Sequence, residues 1–570
     1  MRIALLQLNQ RLGDPATNGA GIEAAYAKAV AEGAELVVTP ELAMAGYLAE
    51  DRMWEAGLRT RVAEASRRLA NLSGTVPLVL GTFSPSPTGR LFNELWWCQD
   101  GAIRQVVRKR LLPSYDVFEE HRWFEPSPEL PKLIEHLGHR IGLSICEDLW
   151  ADRNFSGAAV HYACDPIADL AGAGATLLLN ASASPTMLGS WLPAGRTAPW
   201  AIASKEQQRK TLIQGLAKTH GMPLVYADRV GAESWLLFDG GSCLAQPDGT
   251  WQGGRRFTEG IVWVDTEAAG SSWPASPEEG PWLRDALHLG LRDNLAKQGL
   301  EAVVIGLSGG IDSSVVAAVA VDALGPDRVL GVALPTAYSS GESLSLAKDQ
   351  ADRLGIKFIC LDADTPFAGA AAAMKGAFPD RAFTITDENL QSRARAMLLM
   401  ALTSEPEVHT LLGTPRVAVL NTGNKSEAAT GYFTLYGDGI GAFAILGDCL
   451  KARVYGLARE LGDAITPGIL SRVPTAELRP GQTDEASLAP YAVLDAILGA
   501  VIEAQRPEEG LADDLALLME GADLESARKA LPRILGLLRR TEFKRRQLPF
   551  NLKVSPKAFG QGRRIPLTAL

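Results

Sequence analysis

The sequence predicts an α/β protein built from two unlike domains. Short apolar runs typical of buried strands alternate with stretches whose apolar and alanine positions have helical spacing. The chain has 570 residues, which is too long for one hydrophobic core. Residues 266–281 are rich in Gly, Ser, Pro and Glu, a composition typical of linkers. We therefore expect one domain over residues 1–265, a linker over 266–281 and a second domain over 282–570.

The first domain is predicted to hold many short buried strands. A helix is expected between the first two of them, over residues 22–31. The predicted strands cover residues 3–8, 36–39, 77–82, 141–145, 176–179, 224–226, 235–238 and 260–264.

The pattern starts again after the linker. Strands are expected over residues 302–306, 328–334 and 357–361, and helices over 313–323 and 344–354. Regular strand–helix alternation is typical of a parallel, doubly wound sheet. The two halves show no internal repeat, so we expect two different folds rather than a duplication.

Composition excludes several classes of function. The formal net charge is −10, which argues against nucleic acid as the main partner. The six cysteines include no CxxC pair, which favours a reducing compartment. The sequence has neither a signal-peptide pattern nor an apolar run long enough for a membrane helix. We expect a cytoplasmic protein with no membrane partner.

The strongest motif in the second half is SGGIDSS, residues 308–314, between a predicted strand and a predicted helix. Two glycines let the backbone approach an anion closely, and the amides at a helix N-terminus point toward it. The serine hydroxyls add donors, and Asp312 can reach a magnesium ion. No GK[ST] follows, so this is not a Walker loop. A glycine pair alone is as often a plain turn.

The full string resembles the signature of the N-type ATP pyrophosphatases, which cleave ATP between the α and β phosphates. Further strings are similar to the NAD synthetase branch of that family. They are NTGNKSE (421–427), GYFTLYGD (431–438), ENLQSRAR (388–395), PTAELRPGQTD (474–484) and FKRRQ (543–547). The resemblance implies ATP and deamido-NAD as substrates and Mg²⁺ as the metal.

Residue roles follow from that resemblance position by position. The implied ATP-binding residues are Gly306, Leu307, Ser308, Gly309, Gly310, Ile311, Asp312, Ser313, Ser314, Thr422 and Lys451. The implied deamido-NAD-binding residues are Asn389, Arg393, Glu427, Asp438 and Lys544, with Asp312 and Glu427 also as magnesium ligands. Adenylylating a carboxylate gathers several anions, so cations there are chemically reasonable. Taken alone, Arg393 and Arg395 fit a solvated helix face better than a binding site.

The first half offers a second constellation at three strand ends. Glu41 follows LVVTP, Lys109 lies in VVRKRLLPSYDVFEEHRWF, and Cys146 begins CEDLW. Hydrolysis of an amide by a cysteine needs a thiolate, a base and an oxyanion donor. A lone buried cysteine is more often inert. Here the acids beside it would raise the thiol pKa unless a cation such as Lys109 lay nearby.

These strings resemble the nitrilase superfamily, whose fold is an αββα sandwich. The resemblance implies Glu41 as general base, Cys146 as nucleophile, Lys109 as oxyanion stabiliser and Glu120 as an additional acid. It also aligns Tyr115, Ser184 and Lys205 with glutamine-binding positions. The sequence departs from the family pattern in three places. About twenty extra residues, 185–204, precede Lys205, residues 403–415 form a longer segment, and Glu233 is a substituted position of unknown effect.

Together the resemblances imply an enzyme that draws ammonia from glutamine and uses it to amidate adenylylated deamido-NAD. An enclosed route for ammonia and a homo-oligomer are part of this expectation. Three alternatives stay open: an amidotransferase for another acid, an amidase with a regulatory nucleotide-binding domain, and an ammonia-dependent enzyme with a structural first domain. No feature supports a nucleic-acid-binding or structural role.

Overall fold

The computed structural model describes residues 1–130, 132–151 and 160–568. It divides into two compact units. The first contains Met1–Thr186 and Ser204–Ser276, and the second contains Met187–Ala203 and Pro277–Leu570. The change of unit near residue 276 falls inside the segment predicted as a linker. Residues Met187–Ala203 belong to the second unit although the chain on both sides of them belongs to the first.

The first unit holds fourteen described strands and four described α-helices. The strands are β1 (Arg2–Gln7), β2 (Leu36–Val38), β3 (Leu78–Pro85), β4 (Leu91–Gln99), β5 (Ala102–Arg108), β6 (Ile134–His136), β7 (His139–Ile145), β8 (Leu177–Ser182), β9 (Leu224–Asp228), β10 (Val230–Glu233), β11 (Leu236–Asp239), β12 (Cys243–Ala245), β13 (Trp251–Gly253) and β14 (Gly260–Asp265). The helices are α1 (Pro15–Ala31), α2 (Ala56–Leu72), α3 (Pro166–Gly172) and α4 (Lys205–His220).

Two six-stranded sheets form the centre of this unit. One has the order β14-β1-β2-β3-β4-β5 and the other β13-β12-β9-β8-β7-β6, while β10 and β11 form a separate hairpin. In each sheet the central strands are parallel, with β1, β2 and β3 in one and β7, β8 and β9 in the other. The carboxyl ends of such strands share one edge, which is where their loops can bring side chains together.

Alternation along β1 shows how the layers are built. Ile3 and Leu5 lie in a core with Leu143 and Val225 of the opposite sheet. Their neighbours Ala4 and Leu6 join a second core with side chains of α1 and α2. A third core packs β8 and β9 against α3 and α4. Successive strand residues point to opposite faces, so this division follows from the sequence. The αββα sandwich is confirmed.

The second unit is a five-stranded sheet surrounded by helices. Its strands are β15 (Ala302–Gly306), β16 (Val329–Ala333), β17 (Lys357–Cys360), β18 (Val417–Asn421) and β19 (Phe443–Ala444). Its helices are α5 (Glu279–Gln298), α6 (Ile311–Leu324), α7 (Gly341–Leu354), α8 (Asp364–Ala377), α9 (Ile385–Leu402), α10 (Pro406–Leu412), α11 (Lys425–Thr430), α12 (Lys451–Leu461), α13 (Pro467–Ser471), α14 (Asp484–Ser487), α15 (Tyr491–Leu498), α16 (Leu511–Leu518), α17 (Gly521–Arg540) and α18 (Glu542–Arg545).

The sheet order β17-β16-β15-β18-β19 is parallel throughout, which confirms the doubly wound prediction. The order reverses between β15 and β18, because β16 lies on one side of β15 and β18 on the other. Ligands of such folds bind at the carboxyl ends of the strands flanking this switch point. SGGIDSS follows β15 and NTGNKSE begins at the end of β18, so both motifs lie there. Among the described residues, no helix is long and apolar enough to cross a membrane.

Candidate active sites

Lys109 is the centre of a buried charge cluster in the first unit. Its ammonium Nζ lies 2.7 Å from Glu41 Oε1 and 2.7 and 2.8 Å from the two oxygens of Glu120. All three side chains are excluded from solvent. The sequence predicted these residues to share one site, from two separate strings, and the structure brings them together.

Two further side chains and one backbone N–H fix the carboxylates, and none of the three was predicted from the sequence. The Asn93 amide donates to Glu41 Oε1 at 2.7 Å, and the Tyr47 hydroxyl donates to Glu120 Oε1 at 2.7 Å. The backbone N–H of Ala183 donates to Glu41 Oε2 at 3.0 Å. Each carboxylate is therefore held by neutral donors as well as by Lys109, and Glu41 cannot rotate freely.

Cys146 follows β7 and begins a 3₁₀ turn, with a left-handed φ of 42° that non-glycine residues rarely adopt. The Asp148 carboxylate braces this turn by accepting from the backbone N–H groups of Ile145 at 3.0 Å and Leu111 at 2.9 Å. A sharp turn of this kind projects a nucleophile from the end of a strand. The structure places the Cys146 thiol within electrostatic reach of Glu41 and Lys109.

The electrostatics of this cluster favour a neutral thiol at rest. Burial and the Glu41 carboxylate raise the pKa of Cys146 well above its ordinary value, and Lys109 offsets them only in part. Burial also raises the pKa of Glu120 to about 7, against the opposing effect of Lys109. Burial alone would lower the pKa of Lys109, but Glu120 and Glu41 outweigh it and raise that pKa. The cysteine consequently needs a base to remove its proton, and Glu41 is the carboxylate with the largest electrostatic effect on it.

The predicted glutamine-binding residues lie around the same turn. The Tyr115 hydroxyl lies 3.1 Å from Glu147 Oε2, beside Cys146, and the ammonium of Lys205 lies 3.6 Å from the centroid of the Trp150 ring. Ser184 is buried beyond the end of β8, where its backbone N–H donates to Asp228 Oδ1 at 3.0 Å. Their roles stay predictions.

Glu147 and Tyr162 were missed by the sequence analysis. Tyr162 donates to Glu147 Oε1 at 2.8 Å, so two tyrosines hold this buried carboxylate beside Cys146. Burial raises the pKa of Glu147, and its tyrosine hydrogen bond and two lysines oppose the rise. The CED string was the only signal in the sequence, since two acids after a strand-terminal cysteine are unusual.

In the second unit, SGGIDSS forms the turn between β15 and α6. Gly309 has a φ of 72°, and a Cβ there would lie 2.4 Å from the carbonyl oxygen of Ser343. Only glycine fits both requirements. The Ser313 and Ser314 hydroxyls bond back to the Gly310 carbonyl at 3.1 and 2.8 Å, which leaves the loop backbone ordered before any ligand binds. Such a loop suits phosphate.

Three charged residues meet beside this loop. The Lys451 ammonium bonds to Asp312 Oδ2 and lies 3.8 Å from Glu427 Oε1, while the Asn424 amide donates to Asp312 Oδ1 at 3.1 Å. Burial and the Asp312 carboxylate raise the pKa of Glu427 to about 8, against Lys451. The residues predicted to bind ATP and the metal are therefore adjacent. Thr422 directly follows β18 and lies nearby in the chain.

This donor set fits a magnesium ion. Burial, together with the Asp312 carboxylate, makes the Glu427 carboxylate costly to ionise, because one ammonium does not balance two acidic side chains. Mg²⁺ usually takes one or two carboxylates and completes its shell with phosphate and water oxygens. In the described part of the chain, no group of three or more His, Cys, Asp or Glu could enclose a metal alone. Asp312 and Glu427 would hold the ion together with substrate.

Four of the residues predicted to bind deamido-NAD lie in or contact the segment 431–438. Asn389 Oδ1 accepts from the Thr434 hydroxyl at 2.8 Å, and Arg393 Nε donates to the Leu435 carbonyl at 3.1 Å. Asp438 accepts from the Thr434 N–H at 2.8 Å, and Lys544 Nζ donates to the Phe433 carbonyl at 2.7 Å. Burial lowers the pKa of Lys544. Arg393 is exposed, as the helix-face interpretation has it, and its guanidinium also bonds to this loop.

Comparison with known proteins decides the family. Residues 2–274 match the carbon-nitrogen hydrolase family model, and residues 283–548 match the NAD synthase model. The glutamine-dependent NAD(+) synthetase of Synechocystis sp. is 37% identical over 99% of this chain and 98% of its own length. That of Xanthomonas campestris is 36% identical over 100% of this chain and 97% of its own. The chain belongs to the glutamine-dependent NAD(+) synthetase family.

Solved structures of the family agree with this membership. The glutamine-dependent NAD+ synthetase of Acinetobacter baumannii, solved with adenosine diphosphate, matches with a TM-score of 0.73 and 30% identity, covering 99% of this chain and 98% of its own. A Cytophaga hutchinsonii synthetase matches the fold with a TM-score of 0.78 at 21% identity over 100% of this chain and 97% of its own. Members of this family are carbon–nitrogen ligases with a hydrolase domain and an ATP-dependent domain, as the two sequence resemblances had implied.

Proposed function

We propose that this chain is a glutamine-hydrolysing NAD synthetase that makes NAD, AMP, pyrophosphate and glutamate from deamido-NAD, ATP and glutamine. The observation that carries the proposal is the presence, in one chain, of both the Cys146–Glu41–Lys109 cluster and the Asp312–Glu427–Lys451 cluster. The chain covers its synthetase relatives almost end to end. A cytoplasmic location and a homo-oligomeric state are part of the proposal.

In the first unit, Cys146 Sγ attacks the side-chain amide carbon of glutamine. Glu41 accepts the thiol proton and passes it to the leaving ammonia. The Lys109 ammonium faces the negative charge that develops on the carbonyl oxygen, and Glu120 and Glu41 keep that ammonium protonated. Water then hydrolyses the glutamyl thioester, with Glu41 as base, to give glutamate and the free thiol.

In the second unit, an oxygen of the nicotinate carboxylate attacks the α-phosphorus of ATP, and pyrophosphate leaves. The Gly306–Ser314 loop and Lys451 hold the phosphates and offset their charge. A bound Mg²⁺ would supply Lewis-acid stabilisation of phosphate oxygens. Asn389, Arg393, Asp438 and Lys544 orient the acid. Ammonia then attacks the acyl carbon, and AMP leaves as NAD forms. Ammonia released into water at neutral pH would be mostly protonated, and ammonium has no free electron pair with which to attack. We therefore propose an enclosed route for ammonia.

The test compares the wild type with Cys146→Ala in the presence of deamido-NAD, ATP and magnesium, each with glutamine or with ammonium. Cys146→Ala should lose glutamine-driven NAD formation and keep ammonium-driven formation. Cys243→Ala is the matched control, because Cys243 is also a buried thiol whose pKa burial raises, to about 12, but it lies in β12. A wild type that hydrolyses glutamine yet makes no NAD from either nitrogen source would show that the acceptor is a different acid.

A further inference from the structure

Arg472 lies against the phosphate loop, and no motif had drawn attention to it. It directly follows α13, and one end of its guanidinium donates from Nη1 to the Gly309 carbonyl at 3.1 Å. The other end donates from Nη2 to the Ser343 hydroxyl at 2.5 Å and to Glu477 Oε1 at 2.8 Å. The side chain is mostly buried, with 13% of its surface exposed. A delocalised cation is therefore fixed at the edge of the loop that receives phosphate.

Glu477 is the anion that holds this cation. Its carboxylate oxygens both lie 2.7 Å from the Ser343 hydroxyl, and its side chain is 20% exposed. Its backbone is in the left-handed region, with a φ of 49°. A residue with a side chain rarely adopts that conformation unless its surroundings hold it. The carboxylate thus occupies a defined position beside Gly309 and Ser343.

A fixed carboxylate next to a phosphate loop has an electrostatic consequence. It neutralises Arg472 and repels a triphosphate that approaches Gly309. Lys451, another cation of the site, is already bonded to Asp312. Pyrophosphate departs with several negative charges, so stabilising it calls for a cation beyond Lys451. A guanidinium is suited to this because it can donate two parallel hydrogen bonds to phosphate oxygens.

We propose that Arg472 is a further residue that binds the pyrophosphate part of ATP, and that Glu477 occupies Arg472 until the nucleotide displaces it. The inference rests on the proposed function in so far as ATP is the substrate. Binding of the nucleotide exchanges one anion for another at the guanidinium. The two members of the ion pair therefore act on ATP affinity in opposite directions, whereas a purely structural pair would act in the same direction.

The experiment uses the full-length chain as wild type, Arg472→Gln, Arg472→Lys and Glu477→Gln. Calorimetric titration measures the affinity for ATP and for inorganic pyrophosphate, each with magnesium, and ammonium-driven kinetics give the KM for ATP. We expect Arg472→Gln to weaken both affinities by about tenfold or more, the usual effect of losing a hydrogen bond to a charged group. Arg472→Lys should fall between it and the wild type. Glu477→Gln keeps its hydrogen-bond acceptor and should tighten both affinities several-fold.

The matched control is Arg506→Gln, which breaks another partly buried ion pair of the same unit, with Asp514 at 2.7 Å. It should leave both affinities unchanged. If Arg472→Gln and Glu477→Gln weaken binding together, or if either has no effect, the pair is structural and the inference fails while the proposed function stands. If the wild type binds neither ATP nor pyrophosphate, the inference and the proposed function both fail.

Discussion

Lys109 shows how single residues set the chemistry of the first unit. A buried ammonium is stable only when carboxylates surround it, and Glu41 and Glu120 both do so at 2.7 Å. Glu41 has to satisfy two demands, because it is a partner of Lys109 and also the proposed base for Cys146. Glu120 makes this feasible, since it keeps Lys109 charged when Glu41 takes up a proton. Its contribution can be measured separately.

Glu120→Gln should lower glutaminase activity by about 10²-fold or more, the usual range for disturbing general acid–base catalysis. Among the described residues, Glu41 would then be the one charged partner left to Lys109 at hydrogen-bond distance. Lys109 would hold Glu41 more tightly, which makes Glu41 a weaker base. Ammonium-driven NAD synthesis should not change. Tyr47→Phe is the matched control, because it removes a 2.7 Å bond to Glu120 but no charge, and its effect should be smaller. Equal losses in the two variants would contradict a charge-based role.

The pKa of Cys146 predicts how its alkylation depends on pH. Only the thiolate reacts, and burial with Glu41 raises the thiol pKa well above its ordinary value. The thiolate fraction, and with it the rate of reaction with iodoacetamide, should rise about tenfold per pH unit from pH 7 to pH 9. Mass spectrometry of the Cys146 peptide separates it from the exposed Cys164 and Cys360. A rate that levels off below pH 8 would mean that the resting thiol is more acidic than proposed.

At the scale of elements, the segment Met187–Ala203 is a built-in part of the second unit. Its Trp191 and Trp200 pack against the core that includes α15 and α17. Its backbone is also held by charge, since the Trp191 N–H donates to Glu503 Oε2 at 2.7 Å and Arg453 Nη2 donates to the Gly189 carbonyl at 2.7 Å. Ser184 and Lys205, which are predicted to bind glutamine, flank this segment in the chain.

Glu503 is the anchor of this arrangement. It is fully buried, and its Oε1 lies 2.8 Å from the ammonium of Lys425 and 3.1 Å from the guanidinium of Arg453. Glu503→Gln leaves two buried cations short of a partner and should lower the free energy of unfolding by about 3 kcal/mol or more. Chemical denaturation of the full chain measures this. Arg506→Gln breaks a more exposed pair and should cost less than about 1 kcal/mol. A similar loss in both variants would rule out the anchoring role.

Local sequence patterns predicted that a helix or strand exists better than they predicted its first and last residues. The helix expected over residues 22–31 is α1, which begins at Pro15, because Asp14 accepts from the Thr17 N–H and proline fits the first turn. Asp14 and Pro15 are thus a helix start signal in the sequence, but the helix over residues 22–31 was predicted from apolar periodicity alone. The hairpin of β4 and β5 was not predicted, because Trp96, Trp97 and Glu94 interrupt a simple alternation.

The sites show a different limit. Glu41, Lys109 and Cys146 could be found because strand ends and a family resemblance mark them. Tyr47, Asn93 and Glu503 could not, because their partners lie far away in the chain and an isolated Tyr, Asn or Glu fits a surface equally well. The same applies to the segment Met187–Ala203, since its apolar residues do not specify which of two cores they join. Long-range pairing of polar groups is fixed only by the complete fold.

For the whole molecule, we predict that α9 lies between the proposed synthetase site and the contact surface of the proposed oligomer. This helix carries Asn389 and Arg393, which touch the 431–438 loop, and it also exposes Met397 and Met400 at 57% and 46%. Ile385, at its start, is 64% exposed. Large apolar side chains in one exposed stripe are costly in water and typical of a surface that another chain covers.

Met397→Glu combined with Met400→Glu should therefore reduce the size of the assembly, measured by light scattering after size-exclusion chromatography. Charges placed at a covered apolar surface lose their water and repel the partner copy. Ammonium-driven NAD synthesis should fall with the assembly, because α9 positions Asn389 and Arg393. Glutaminase activity should persist, since Cys146, Glu41 and Lys109 come from the first unit alone. Lys375→Glu, on α8 and not among the three residues of this stripe, gives a control charge change. A double variant of unchanged size would show that α9 is not the contact surface, and unchanged synthetase activity in a smaller assembly would separate oligomerisation from the site.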